Sequence, residues 1–186
     1  MKTCLMLLVA GGMVCGMGQT PAAQSKGVAA PWDVRKTLDA LQAQTGRLKP
    51  LLAQMQPEQW VKAGAPYAYV QQKATAANEA DYFLTSAKRL AADPDKLSLA
   101  MDTYFRMEAL DGELATLIAG VRKYDNPATA DVMQGVVDEG SRNVAQFRQY
   151  LTDLASQREQ EYQVMDHEAQ RCRAALSQQK PYGKGK

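Results

Sequence analysis

The chain of 186 residues has one histidine, three cysteines and almost no excess charge, with 22 Lys and Arg against 20 Asp and Glu. A formal charge of +2 excludes the broad basic field on which sequence-independent nucleic-acid binding depends. A single histidine leaves little material for a metal centre, and any Ser-His-Asp or Cys-His set would have to be built on His167. Cys172, five residues further on, is not one helical turn away from it. Val164 stands where a Glu-x-x-His step ending at His167 needs its glutamate, and no Cys-x-x-Cys-His is present for covalent haem. Gly-rich phosphate loops are missing as well. Long apolar runs are also lacking: the stretch Leu5 to Val14 falls short of the ~20 residues a spanning helix needs. With 46% hydrophobic and 23% charged residues, neither a chain disordered throughout nor a multi-span membrane protein fits.

What is present begins with a targeting pattern. Lys2, the apolar stretch Leu5 to Val14 and the small residues Gly16 and Gly18 predict a secretory signal peptide over residues 1–18. Cleavage is expected after Gly18, with Ala23 as the alternative, and the expected destination is the periplasm or the exterior. Lipidation at Cys15 is set aside, because Val14 and Gly12 stand where a small residue and a leucine are wanted. Cys4 and Cys15 would leave with the signal, so Cys172 is the only thiol of the mature chain and no internal disulfide can form. Such a lone thiol either pairs with another chain or lies buried on a helix face. Residues 19–30, rich in Ala, Gly, Ser and Gln, read as a flexible linker.

From Pro31 onward apolar residues recur at alternating steps of four and three. The first stripe is Val34, Leu38, Leu41, Thr45, Leu48, Leu52 and Met55, and Pro50 within it predicts a kink or restart near Lys49. Pro57 starts a further turn containing Trp60, and Gly64 ends it. A second stripe runs through Tyr69, Lys73, Ala76, Ala80, Phe83, Ala87 and Leu90, and a third through Ala100, Thr103, Met107, Leu110, Leu114, Leu117 and Val121. Asp93-Pro94 and Asn126-Pro127 predict N-cap plus first-turn proline at the two boundaries. No strand alternation competes. The expected fold is an all-α, up-and-down antiparallel bundle of about four helices occupying residues 31–178 as one domain. A basic, Gly-containing tail at 179–186 is expected to be disordered.

The last helix is the unusual one. Met133, Val137, Gly140, Val144, Phe147, Leu151 and Leu154 continue the rhythm, and the same stripe then passes through Arg158, Glu161, Met165, Glu168, Cys172 and Ala175. Neither Pro nor Gly interrupts the chain between Gly140 and Lys180. Such a helix extends to about 75 Å, against about 40 Å for its companions, so its second half overhangs them. Its mixed charges suit a solvated helix laced with local ion pairs.

Other positions carry expectations that the structure can test. Tyr104, Phe105, Phe147 and Tyr150 read as core, whereas Trp32, Trp60, Tyr67 and Tyr69 cluster at bundle ends and either pack as lids or line a pocket. Asp138 and Arg142 read as an i,i+4 ion pair. Non-covalent haem held between Met55 and His167 is a weak echo of a periplasmic haem bundle, set against His167 as an exposed residue between Asp166 and Glu168.

No catalytic constellation, resident cofactor or metal site is selected by these residues. The expectation is a non-enzymatic binding or structural module of the cell envelope. Its interaction surface is the overhang carrying Arg158, Tyr162, Met165, His167, Cys172 and Leu176, and its partner a second copy or another envelope protein. The alternative is a small-ligand or haem-binding periplasmic bundle.

Overall fold

The computed structural model describes residues 31–178, the side chains of Pro31 and Trp32 excepted. The expected signal peptide, linker and basic tail lie outside the described residues. About 91% of the structure is helical, and no strand occurs among the described residues. Among the described residues five helices follow one another: α1 (Pro31–Gln54), the short α2 (Pro57–Lys62), α3 (Ala68–Ala92), α4 (Leu97–Tyr124) and α5 (Pro127–Gln178).

The four long helices close a ring in which α3 packs on α1 and α4, while α5 packs on α4 and α1. Cross-helix bonds fix their directions. Thr37 pairs with Gln146 and Arg47 with Glu139, so residue number rises along α1 as it falls along α5. Arg35 with Ala91 and Lys49 with Asp81 do the same for α1 and α3. Glu79 with Arg106 and Ser86 with Thr103 make α3 antiparallel to α4, and Arg122 with Asp131 together with the Tyr104 and Phe147 rings does so for α4 and α5. The bundle is therefore up-and-down, with α2 laid across the end where α1 turns into α3.

The spacing rule locates the core. All seven residues of the first stripe are buried, Thr45 included, and so are all seven of the third. On α5 the buried set is Ala130, Met133, Val136, Gly140, Phe147, Tyr150 and Leu154. Val137, Val144 and Leu151, expected on that face, are only half-buried, because α5 leans on two neighbours and its inner face drifts around the helix. The apolar interior forms two clusters. One gathers Leu52, Met55, Trp60, Leu117 and Met133 at the α2 end, and the other gathers Leu38, Phe83, Leu90, Phe147 and Leu154 at the opposite end. Buried Gln44 and Thr45 lie between them along α1; Thr45 returns its hydroxyl to the Leu41 carbonyl, and the Gln44 amide donates to the Val137 carbonyl.

Several local expectations are corrected. Helix α1 continues through Pro50 without a restart; the Gly46 carbonyl, four residues earlier, loses its amide partner, and Gly46 lies on the exposed side of the helix. Asp93 does not cap the following helix. It ends α3, with its amide donating to the Arg89 carbonyl, and α4 starts only at Leu97, without a side-chain cap. Pro94 is instead buried, and its carbonyl accepts the Tyr150 hydroxyl. Asn126 behaves as expected, its side-chain oxygen accepting the Ala128 amide at 2.9 Å. Asp138 accepts from Gln134 rather than pairing with Arg142. Phe105 is 59% exposed, not core, since it lies on the outer face of α4, next to inward-facing Tyr104.

Candidate functional site

The antiparallel register determines where α5 loses its companions. Thr37 of α1 stands beside Gln146, so the start of α1 at Pro31 faces the stretch just before Leu154. The turn between α3 and α4 reaches slightly further: the Arg158 guanidinium donates to the Asp95 carbonyl at 2.8 Å and to Glu161 at 2.6 Å. Leu154 is the last buried residue of α5, and Arg158 and Glu161 are the last half-buried ones. The Gln157 amide and the Arg158 guanidinium, in that order, hold the Glu161 carboxyl below its usual range. Beyond this anchor every residue from Tyr162 to Gln178 is exposed. At 1.5 Å per residue the free segment projects about 25 Å past the bundle.

That segment carries large apolar side chains in water: Tyr162 at 66%, Val164 at 64%, Met165 at 63% and Leu176 at 67% exposure. Val164 and Met165, with Gln157, Gln160 and Glu161, border a shallow apolar depression along the helix flank. Along it Arg171 pairs with Glu168 at 3.0 Å, and the Gln170 amide donates to the Asp166 carboxylate at 2.9 Å.

A second concave feature lies between α1 and α5. A groove of about 600 Å³ has Val34, Phe147 and Tyr150 among its apolar lining, Thr37, Asn143 and Gln146 as polar lining, and Asp33, Lys36 and Asp153 as charged lining. Burial pushes the Tyr150 phenol up to about 12, with Asp95 adding to the effect, and the hydroxyl is already donated to Pro94. A third feature was invisible to motif reading. Tyr104, Glu108 and Asp111 follow one another at steps of four and three along α4. Burial, and then Glu108, push the Asp111 carboxyl up to about 6, and burial with Glu108 also raises Tyr104. The signal was the spacing itself, a polar stripe adjacent to the apolar one. This cluster is not part of the α1/α5 groove.

No family model, curated protein or solved structure matches the chain. The site is therefore judged on its own chemistry. Of the six residues assigned to the overhang, Tyr162, Met165, His167, Cys172 and Leu176 are exposed on the free segment. Arg158 differs: it is the anchor that ties α5 to the Asp95 turn, and its guanidinium is engaged within the chain. Cys172 is a free, exposed thiol, which overturns the reading that it lies buried on a helix face.

Met55 and His167 do not come together. Met55 is buried at the α2 end in the same cluster as Ala130, and His167 lies about 55 Å further along α5 from Ala130. The aromatic lid is packed rather than open where its side chains are described. Trp60 is 2% exposed, meets Tyr69 edge-on at 5.7 Å and donates its indole N–H to Asp125, while Tyr69 meets Tyr124 in turn. Tyr67 faces solvent. Among the described residues no group of three or more His, Cys, Asp or Glu could hold a metal ion, and no helix is long and apolar enough to cross a membrane.

Proposed function

We propose that the protein is an exported, non-enzymatic binding module of the cell envelope whose α5 overhang docks onto another protein chain. One observation carries this reading: a rigid helix, continuous with a well-packed bundle, holds Tyr162, Val164, Met165 and Leu176 in water with nothing of the bundle beside them. A bundle that needed only to be stable gains nothing from such an extension, and exposed apolar groups on a rigid element suit recognition. The export half of the reading is supported by Lys2, the Leu5 to Val14 stretch and Gly16 to Gly18.

Two experiments test the two halves. A photo-cross-linking probe placed at Tyr162 in intact cells is expected to give a discrete protein adduct that disappears when Leu176→Asp is added. The same probe at Val132, exposed on the bundle, serves as control. Absence of an adduct, or identical adducts from both positions, overturns the docking role. The mass of the purified protein is expected to correspond to a chain starting at Gln19 or Gln24, and an intact Met1 in the envelope fraction overturns signal cleavage.

The α1/α5 groove favours a second reading, a carrier of a small organic ligand, since its volume lies in the range of small-molecule sites. Native mass spectrometry of the purified protein decides it: a retained ligand released by Phe147→Ala supports the carrier, and a bare mass removes it.

A further inference from the structure

The overhang has an order of side chains that selects its own partner. Resting on the docking role proposed above, we infer that the overhang of one copy pairs antiparallel with that of a second copy, in a single register centred between Gln170 and Arg171. The apolar seam is Tyr162, Met165, Ala169, Cys172 and Leu176, spaced three, four, three and four. That is the a/d repeat of a two-helix coiled coil. All five residues are exposed on a helix already nucleated by the bundle, so pairing does not have to bear the cost of starting the helix.

Charge fixes the direction. Between Glu159 and Glu168 the chain carries four acidic residues, Glu159, Glu161, Asp166 and Glu168, and no Lys or Arg. From Gln170 to Gln178 it carries Arg171 and Arg173 and no acidic residue. Laid parallel, two copies set Glu161 next to Asp166 across the seam, a repulsion that offsets the attraction of Glu168 to Arg173. Laid antiparallel they set acidic against basic.

The same charges choose the register. Centred between Gln170 and Arg171, Met165 meets Leu176 of the second copy and Ala169 meets its Cys172, while Tyr162 lies beyond the paired span. Asp166 then lies beside Arg173 of the second copy, twice by symmetry. Slipping the helices by one heptad, with Met165 against Ala169, places Asp166 against Asp166 and Glu168 against Glu168, which cancels the gain of bringing Glu159 beside Arg173. Within the chain neither Asp166 nor Arg173 has an ion-pair partner among the described residues.

Thiol chemistry reads out the arrangement without solving it. In this register the two Cys172 residues are offset by about 4.5 Å along the axis and lie on opposite sides of a seam 8–10 Å wide, too far for a disulfide. Full-length mature protein is expected to dimerise reversibly by sedimentation and to stay free of disulfide dimers under mild oxidation. The double variant Ala169→Cys/Cys172→Ser is also expected to stay unlinked alone, yet to form disulfide dimers when mixed with the unsubstituted chain. Asp166→Arg is expected to weaken the dimer about tenfold, and adding Arg173→Asp to restore it. Disulfide dimers of the unsubstituted chain alone, paired through Cys172, overturn the inference in favour of parallel pairing. Monomers at every concentration overturn it as well. If the Tyr162 probe still gives its Leu176-dependent adduct with a different protein, the docking role stands and only self-pairing fails; if that adduct is lost too, both fail.

Discussion

Gly120 shows how one side chain shapes the α2 end. A Cβ built on it would sit 2.7 Å from the Tyr69 ring, which is itself held between Trp60 and Tyr124. Gly120→Ala is expected to destabilise, because overpacking of about 1–3 kcal/mol exceeds the roughly 1 kcal/mol gained in helix propensity. Gly112, exposed and with open space around its Cα, is the control: Gly112→Ala is expected to raise the melting temperature by a few degrees. Asp111 tests the polar stripe. Its folded-state carboxyl is raised to about 6 from 3.8, so ionisation at neutral pH works against folding. Stability contributed by this group rises as pH falls from above 6 towards 4. Asp111→Asn is accordingly expected to stabilise the protein at pH 7 by on the order of 1–2 kcal/mol after solvent screening, and to lose that advantage progressively as pH falls from 6 towards 4, as read by denaturant midpoints. Tyr150 acts at the other end of the scale. Its phenol is raised from 10.0 to about 12, so its contribution is complete below pH 10 and disappears as pH climbs through 12. Thermal melts between pH 9 and 12 should show a steeper loss for the natural chain than for Tyr150→Phe, which starts less stable because the Pro94 carbonyl loses its donor.

At the scale of elements, α5 divides at Arg158. Up to Leu154 the helix is structural: Phe147 and Leu154 are among the largest fully buried side chains. Leu154→Ala is expected to cost about 2–5 kcal/mol. Removing residues 162–186 is expected to change stability by less than about 0.5 kcal/mol when measured on dilute monomer, since nothing from Tyr162 to Gln178 touches the core. A large loss in that truncation, read by thermal melting, would show that the overhang supports the bundle. The same division explains what spacing alone could reveal. Every residue on the four-three stripes of α1 and α4 is buried, because each side chain on such a stripe meets the interior, although Gln44, Leu99, Ile118 and Gly120 are buried beside them. On α5 the rhythm runs unbroken from Met133 to Ala175, yet burial stops at Leu154. Periodicity reports a face and not whether anything lies against it. The caps show the same limit: Asn126 works as its residue type suggests, while Asp93, with an identical Pro after it, ends a helix instead, because Pro94 is drawn into the interior by Tyr150.

For the whole molecule, the fold class, the helix boundaries to within a few residues and the excess length of the last helix were all determined by the order of amino acids. Apolar side chains at helical spacing have to be covered, and prolines and short polar turns leave only one economical way of covering them. The candidate site was legible only in part. Tyr162, Met165, His167, Cys172 and Leu176 were identified as overhanging residues, but Arg158 became an anchor once the α3/α4 turn arrived beside it. The Met55 and His167 pairing failed because antiparallel packing sends the two to opposite ends. The α1/α5 groove, the Tyr104, Glu108 and Asp111 stripe and the close approach at Gly120 depend on which helix faces come together. Those features were decided by tertiary structure alone, because burial, proximity and the electrostatic shifts that follow are properties of neighbours far apart in the chain.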